Sequence, residues 1–169
     1  MEWTGARYAD KPTVEVRAWI DAPPERVWEI VSDVSLMPGM SDELQSVHWL
    51  DGESRPAVGA RFVGRSRHEA LGEWETTSHV IECESPRVIA WAVDDPSRPA
   101  AVWRFRLEGK DDGTELSEWM QLGPGRSGLS FAIDEMPDKE QKIVFVRMRE
   151  FERNMTITLG RIKRLAEER

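Results

Sequence analysis

Three residues of this chain could move or steer a proton: Ser66, His68 and Glu118. Each falls on a stretch whose alternation reads as strand, on the side its apolar neighbours occupy. An imidazole among apolar side chains exchanges a proton near neutral pH. A glutamate withdrawn from water has its pKa raised by desolvation and becomes a usable acid or base. Ser66 stands two residues before His68, on the same face, and supplies an orienting hydroxyl. Against this stands a structural alternative, in which His68 is a hydrogen-bonded wall residue and Glu118 partners a helix arginine or sits at a rim. The sequence leaves both readings open.

Other chemistry has less support. His79 and Cys83 share strand parity near Glu75, but that parity faces outward and no zinc-ligand spacing occurs, so no metal is expected. There is no phosphate-cradling glycine motif and no Gly-x-Ser-x-Gly elbow, and no cofactor is expected. Gly123-Pro124-Gly125-Arg126-Ser127-Gly128 reads as a hinge and, with Met37–Met40, as a candidate gate.

The surroundings of the polar residues are strongly apolar. On the same strand faces lie Phe62, Trp74, Trp91, Trp103 and Phe105, followed by Leu116 and Met120, with Thr76 and Ser78 as sparse polar company. From a helix, Met148, Phe151 and Met155 face them. A few polar groups in an aromatic and Met-rich surround is the composition of a small-molecule site. The alternative is that these side chains pack a solid core.

Those positions imply specific elements. From about Asp138 to Ala166, Val144, Met148, Phe151, Met155, Leu159 and Ile162 recur at spacings of three and four, marking a long amphipathic helix. Asp138 and Gln141 read as its capping box. Lys142, Arg147, Arg149, Glu152, Arg153, Arg161 and Lys163 are assigned to its other faces. Upstream, Thr13–Ile20 is a half-buried strand, stopped by Ala22-Pro23-Pro24, which opens a short helix. Met37–Met40 breaks that helix, and a second short one is expected from Ser41. Strands follow over Val47–Leu50, Arg61–His68, Trp74–Cys83, Val88–Val93, Val102–Leu107 and Thr114–Leu122, with Gly64 suggesting a bulge or bend. Arg126–Pro137 reads as loop. The registers of the Gln45–Leu50 and Trp74–Cys83 strands stay open, since a one-residue slip exchanges Ser78 for His79. The result is an α+β fold, with about seven antiparallel strands curved around a long C-terminal helix and a cavity between them.

Composition bounds the rest. The chain has 169 residues, 40% of them hydrophobic and 32% charged, which suits a single domain over 1–169 with residues 1–12 as a fraying extension. A net charge of −8 argues against nucleic-acid binding. No apolar run reaches the roughly twenty residues of a membrane span, so no stable membrane insertion is expected. Met1–Asp10 lacks a signal-peptide pattern and there is one cysteine, Cys83, which together point to the cytoplasm. A monomer or homodimer is expected.

Ala22-Pro23-Pro24-Glu25-Arg26-Val27-Trp28-Glu29-Ile30-Val31-Ser32-Asp33, following the first strand, resembles the opening signature of the SRPBCC superfamily. That group includes START lipid-transfer domains, birch-pollen-allergen relatives and polyketide cyclase/dehydrase-like proteins. Val58-Gly59-Ala60-Arg61-Phe62 is similar to the family's lead into its third strand, and the Trp74/Trp91 pair and Gly113-Thr114-Glu115-Leu116 turn also fit. The resemblance spans roughly residues 13 to 166 and implies a helix-grip fold whose cavity binds apolar molecules. Aromatase/cyclase members carry a Ser-x-Arg pair where this chain reads Ser66-Arg67-His68, a departure at the third position. Two functions are therefore expected to compete: carrier of a lipid, polyketide or isoprenoid, and polyketide cyclase or dehydratase using Ser66, His68 and Glu118. A protein-interaction module, supported by the charged helix face, is a third.

Overall fold

A computed structural model of the chain describes residues 1–168. Seven strands form one antiparallel sheet in the order β1-β7-β6-β5-β4-β3-β2. They are β1 (Thr13–Ile20), β2 (Leu44–Trp49), β3 (Arg61–His68), β4 (Gly72–Glu84), β5 (Val88–Val93), β6 (Ala101–Lys110) and β7 (Gly113–Leu122). The helices are α1 (Pro24–Val31), α2 (Met37–Met40), α3 (Gly128–Glu135) and α4 (Glu140–Glu167). The curved sheet grips α4, which is 28 residues long, and α1 and α2 follow the first strand as expected. Among the described residues, no helix is long and apolar enough to cross a membrane.

Proline sets the start of α1: Pro24 occupies its first turn, where a missing N–H costs nothing, and Val27, Ile30 and Val31 turn inward. They join Ile20, Leu116, Leu159 and Ile162 in one buried cluster. A second gathers Met120, Leu129, Val144, Met148 and Met155.

Two bulges shape the trough. One lies on β2 between Leu44 and Ser46, opposite Ser66 and Arg65, and the other on β4 between Val80 and Glu82. The irregularity suggested by Gly64 thus sits on the partner strand. The β4 bulge also corrects the pairing of His79 with Cys83. His79 is opposite Ala92, but beyond the extra residue Cys83 is opposite Ile89 and packs against the inner core. One inserted residue reverses strand parity, so the two no longer share a face.

Several other boundaries differ from expectation. Residues 128–135 are helical rather than loop, begun by a capping box between Ser127 and Ser130. Pro137 nucleates a 3₁₀ turn over Pro137–Lys139, which takes up Asp138 and moves the start of α4 to Glu140. The Asp138/Gln141 box does not form, and the Gln141 amide instead donates to the Gly5 carbonyl at 2.7 Å. The second short helix is Met37–Met40 itself, while Ser41 is extended and leads into β2. The N-terminal arm is docked rather than frayed. Tyr8 donates its backbone N–H to Glu140 at 2.9 Å and its hydroxyl to the Gly125 carbonyl, and Trp3 meets Phe145 edge-on at 5.2 Å.

Candidate functional site

Between α4 and the inner face of β3–β7 lies a cavity of about 450 Å³. That is within the usual range for small-molecule sites. The strands contribute Phe62, Ser66, Trp74, Thr76, Ser78, Trp91, Trp103, Phe105 and Glu118, and α4 contributes Phe151 and Met155. An edge-to-face series of rings, Trp49–Phe62–Trp91, continues to Phe105 at 6.0 Å and stiffens this wall. Trp103 meets Phe151 across the cavity at 5.5 Å, edge-on. At the exposed margin stand Leu71 and Trp74 of the β3–β4 hairpin and Phe131 of α3, the last 67% exposed.

Three side chains expected in the lining lie elsewhere. Leu116 belongs to the buried cluster formed with α1 and the end of α4. Met120 and Met148 pack with Val144 and Met155 in the other cluster. Their face is the expected one, but neighbours cover them completely, so they pack as core rather than line the trough.

His68 is also outside the lining. Its Nδ1 accepts the backbone N–H groups of Ala70 at 3.0 Å and Leu71 at 3.2 Å. An acceptor at Nδ1 places the ring proton on Nε2, which donates to Glu150 of α4 at 2.9 Å. Both nitrogens are occupied, Nδ1 in closing the hairpin turn and Nε2 in tying the hairpin to the helix. His68 is hydrogen-bonded, as the structural alternative has it, but at the hairpin end rather than on the cavity wall.

Glu118 is different. Its β7 position faces Val16 of β1 and Phe105 of β6, both apolar. Only 6% of the residue is exposed, and Oε2 is buried without a hydrogen-bond partner among the described residues. Burial pushes its pKa up to about 8. Near pH 7 the group is therefore mostly a neutral carboxylic acid on the wall of an apolar cavity, able to donate a proton or a hydrogen bond.

A second polar cluster was missed in the sequence. Arg147, 5% exposed, donates to both oxygens of Glu43 at 2.8 Å, and Asn154 Nδ2 donates to Glu43 at 2.9 Å. The guanidinium lies 4.2 Å over the Phe151 ring and 3.6 Å from Glu150. Glu43, Arg147 and Asn154 all line the cavity. Arg147 belongs to the buried stripe rather than an outer face. It stands three residues after Val144 and four before Phe151, and that spacing was the available signal. Glu43, 104 positions away, offered none.

A family model for polyketide cyclase / dehydrase and lipid transport matches residues 11–167. Among curated proteins, none matches the sequence significantly. A polyketide-cyclase-like protein from Corynebacterium glutamicum is 31% identical, with 92% of this chain aligned to 91% of that one at a TM-score of 0.67. The di-domain ARO/CYC protein BexL shares the fold at 20% identity and a TM-score of 0.65; 94% of this chain aligns, spanning about half of that longer protein, 51%. Ara h 8.0201 shares it at 13% identity and a TM-score of 0.56, over 89% of this chain and 97% of that one. With its helix-grip architecture and this match over nearly its whole length, the chain belongs to the polyketide cyclase/dehydrase and lipid transport family, within the SRPBCC superfamily.

Proposed function

We propose that this protein binds a hydrophobic small molecule of lipid, polyketide or isoprenoid type beneath α4, as a soluble cytoplasmic carrier or binding protein acting as a monomer or homodimer. The observation that carries this reading is the apolar cavity of about 450 Å³, walled by Phe62, Trp91, Trp103, Phe105, Phe151 and Met155. Burying a ligand there removes apolar surface of both partners from water, at roughly 25 cal/mol per Å². Native mass spectrometry of the purified protein tests the reading. A co-purifying apolar ligand, or binding of a neutral apolar dye, supports it; an empty protein that binds no such dye removes it.

One observation favours a second reading, cyclase or dehydratase activity. Glu118 holds its proton near neutral pH and could pass it to a carbonyl or departing hydroxyl oxygen, with the carboxylate then accepting a proton from carbon. Ser66, on the opposite wall, would orient the substrate. His68, engaged at both nitrogens, would support this chemistry only by holding the hairpin. Turnover lost in Glu118→Gln with substrate affinity retained supports the enzyme; unchanged turnover removes Glu118 from that role.

A further inference from the structure

The polar atoms of this cavity are not distributed as a solid core would distribute them. Buried polar groups in folded proteins are nearly always paired, and an unpaired one costs about 1–3 kcal/mol. Oε2 of Glu118 is such a group, fully enclosed and without a partner among the described residues. On the β3–β4 wall, the hydroxyls of Ser66, Thr76 and Ser78 line the same cavity, and no hydrogen bond joins any of them to Glu118. Each of these groups, the neutral carboxyl included, can donate a hydrogen bond. Oε2 itself is enclosed in the wall; Oε1, likewise without a hydrogen bond among the described residues, is the carboxyl oxygen that, with the three hydroxyls, meets whatever fills the cavity.

We propose that Glu118 is the specificity-determining residue of this cavity, donating a hydrogen bond from its carboxyl group to a carbonyl oxygen on an otherwise apolar, uncharged ligand. The ligand class is neutral ketones, aldehydes and esters. Hydrocarbons of the same shape leave the carboxyl unpaired, and carboxylate anions such as free fatty acids, although good acceptors, must leave water for an apolar cavity whose lining cation, Arg147, is already bound to Glu43. A site built to hydrogen-bond a ligand discriminates strongly against the analogue that lacks the matching atom. The inference rests on the cavity being a ligand site.

Its pH dependence belongs to Glu118 alone. Around it on the sheet are Val16, Phe105, Leu116 and Met120, all uncharged. Helix α1 brings Ile30 and Val31 to the lining, α3 brings Leu129 and Phe131, and α4 brings Phe151, Met155 and Thr158, again uncharged. The charged groups in the lining are Arg147, bound to Glu43, together with Glu75 and Asp94. None contributes to the shift of Glu118, whose cause is burial.

Equilibrium dialysis with 2-acetylnaphthalene, 2-ethylnaphthalene and 2-naphthoate tests the proposal, because the three share a skeleton and differ at one group. At pH 6.5 the ketone should bind about 10-fold more tightly than the hydrocarbon, one hydrogen bond's worth, and the anion most weakly. In the native protein that preference should fall toward unity by pH 9.5, as the carboxyl ionises and stops donating. Glu118→Gln, a neutral donor at every pH, should keep the preference throughout; Glu118→Met should bind ketone and hydrocarbon alike. Equal binding of the two neutral probes by the native protein at pH 6.5, or a preference surviving in Glu118→Met, overturns the inference and leaves the cavity as a ligand site. If neither naphthalene nor the neutral dye Nile red binds, the ligand-site reading fails and the inference falls with it.

Discussion

Glu43 and Glu118 both place a carboxyl on the wall of one cavity, and the fold treats them in opposite ways. Glu43 receives three hydrogen bonds from Arg147 and Asn154, which pin the start of β2 to α4. Glu118 faces Val16 and Phe105 and receives nothing. A buried, paired charge behaves as structure, because removing either partner strands the other. A buried, unpaired acid destabilises the fold, and such groups concentrate where ligands or chemistry need them. The comparison separates the two polar clusters by role more sharply than their positions do.

The largest expected effect reverses the usual sign of a core mutation. The folded pKa of Glu118, about 8, lies above the ordinary glutamate value of 4.5, so its proton favours the folded state. Stability from this residue is complete below about pH 4.5 and is lost as pH rises through 8. Glu118→Gln should therefore stabilise the protein by roughly 3 kcal/mol at pH 7, more at pH 8.5 and by almost nothing at pH 4.5. Denaturant melts at the three pH values measure this; a variant no more stable than the parent at pH 8.5 would place Glu118 in a wetter setting. Arg147→Met should cost about 3 kcal/mol, since Glu43 loses its counter-ion, and adding Glu43→Gln should recover a large part. Additive losses in the double variant would mean that the pair is not coupled.

Smaller effects sharpen the same contrast. His68→Ala removes three hydrogen bonds, two within the β3–β4 hairpin and one from the hairpin to α4, and should cost about 1–2 kcal/mol. Hydrogen exchange should accelerate at the Ala70 and Leu71 amides while β7 keeps its protection. Gly64→Ala should cost under about 1 kcal/mol, because the added methyl meets Leu44 Cδ1 at 3.2 Å, the movable end of a side chain. A thermal melt reads that difference.

The fold was largely legible because its signals are periodic. Alternation located β1 and β3 with their observed limits, an apolar run between prolines did the same for β5, and the spacing from Val144 to Ile162 marked the long helix. What escaped was non-periodic or distant. The β4 bulge leaves no mark in composition, so Cys83 was assigned to the wrong face. Helix α3 hid behind Gly125 and Gly128, although Leu129, Ala132 and Ile133 already carried a helical spacing. Glu118 stood out as a charge on an apolar strand face. His68 shared that pattern, yet its position at the hairpin end let two loop amides claim the ring. Strand parity or a helical stripe assigns a side; whether that side is hollow there depends on what packs above it, as the covered Leu116 and Met120 on β7 and Met148 on α4 demonstrate.

The extra residue in β4 also bears on how this scaffold could be altered. Before Val80 the strand offers Trp74, Thr76 and Ser78 to the hollow; after Glu82 it offers Cys83 to the solid interior. The irregularity uncouples the two segments, so the upstream three positions form a palette that can be repainted for a different guest without disturbing the foundation. Deleting Ile81 would remove that insulation. The pairings of Val80 with Trp91, Glu82 with Ala90 and Cys83 with Ile89 would then run on without a break, so Cys83 would stay turned inward while the strand lost the local bend that separates its two halves.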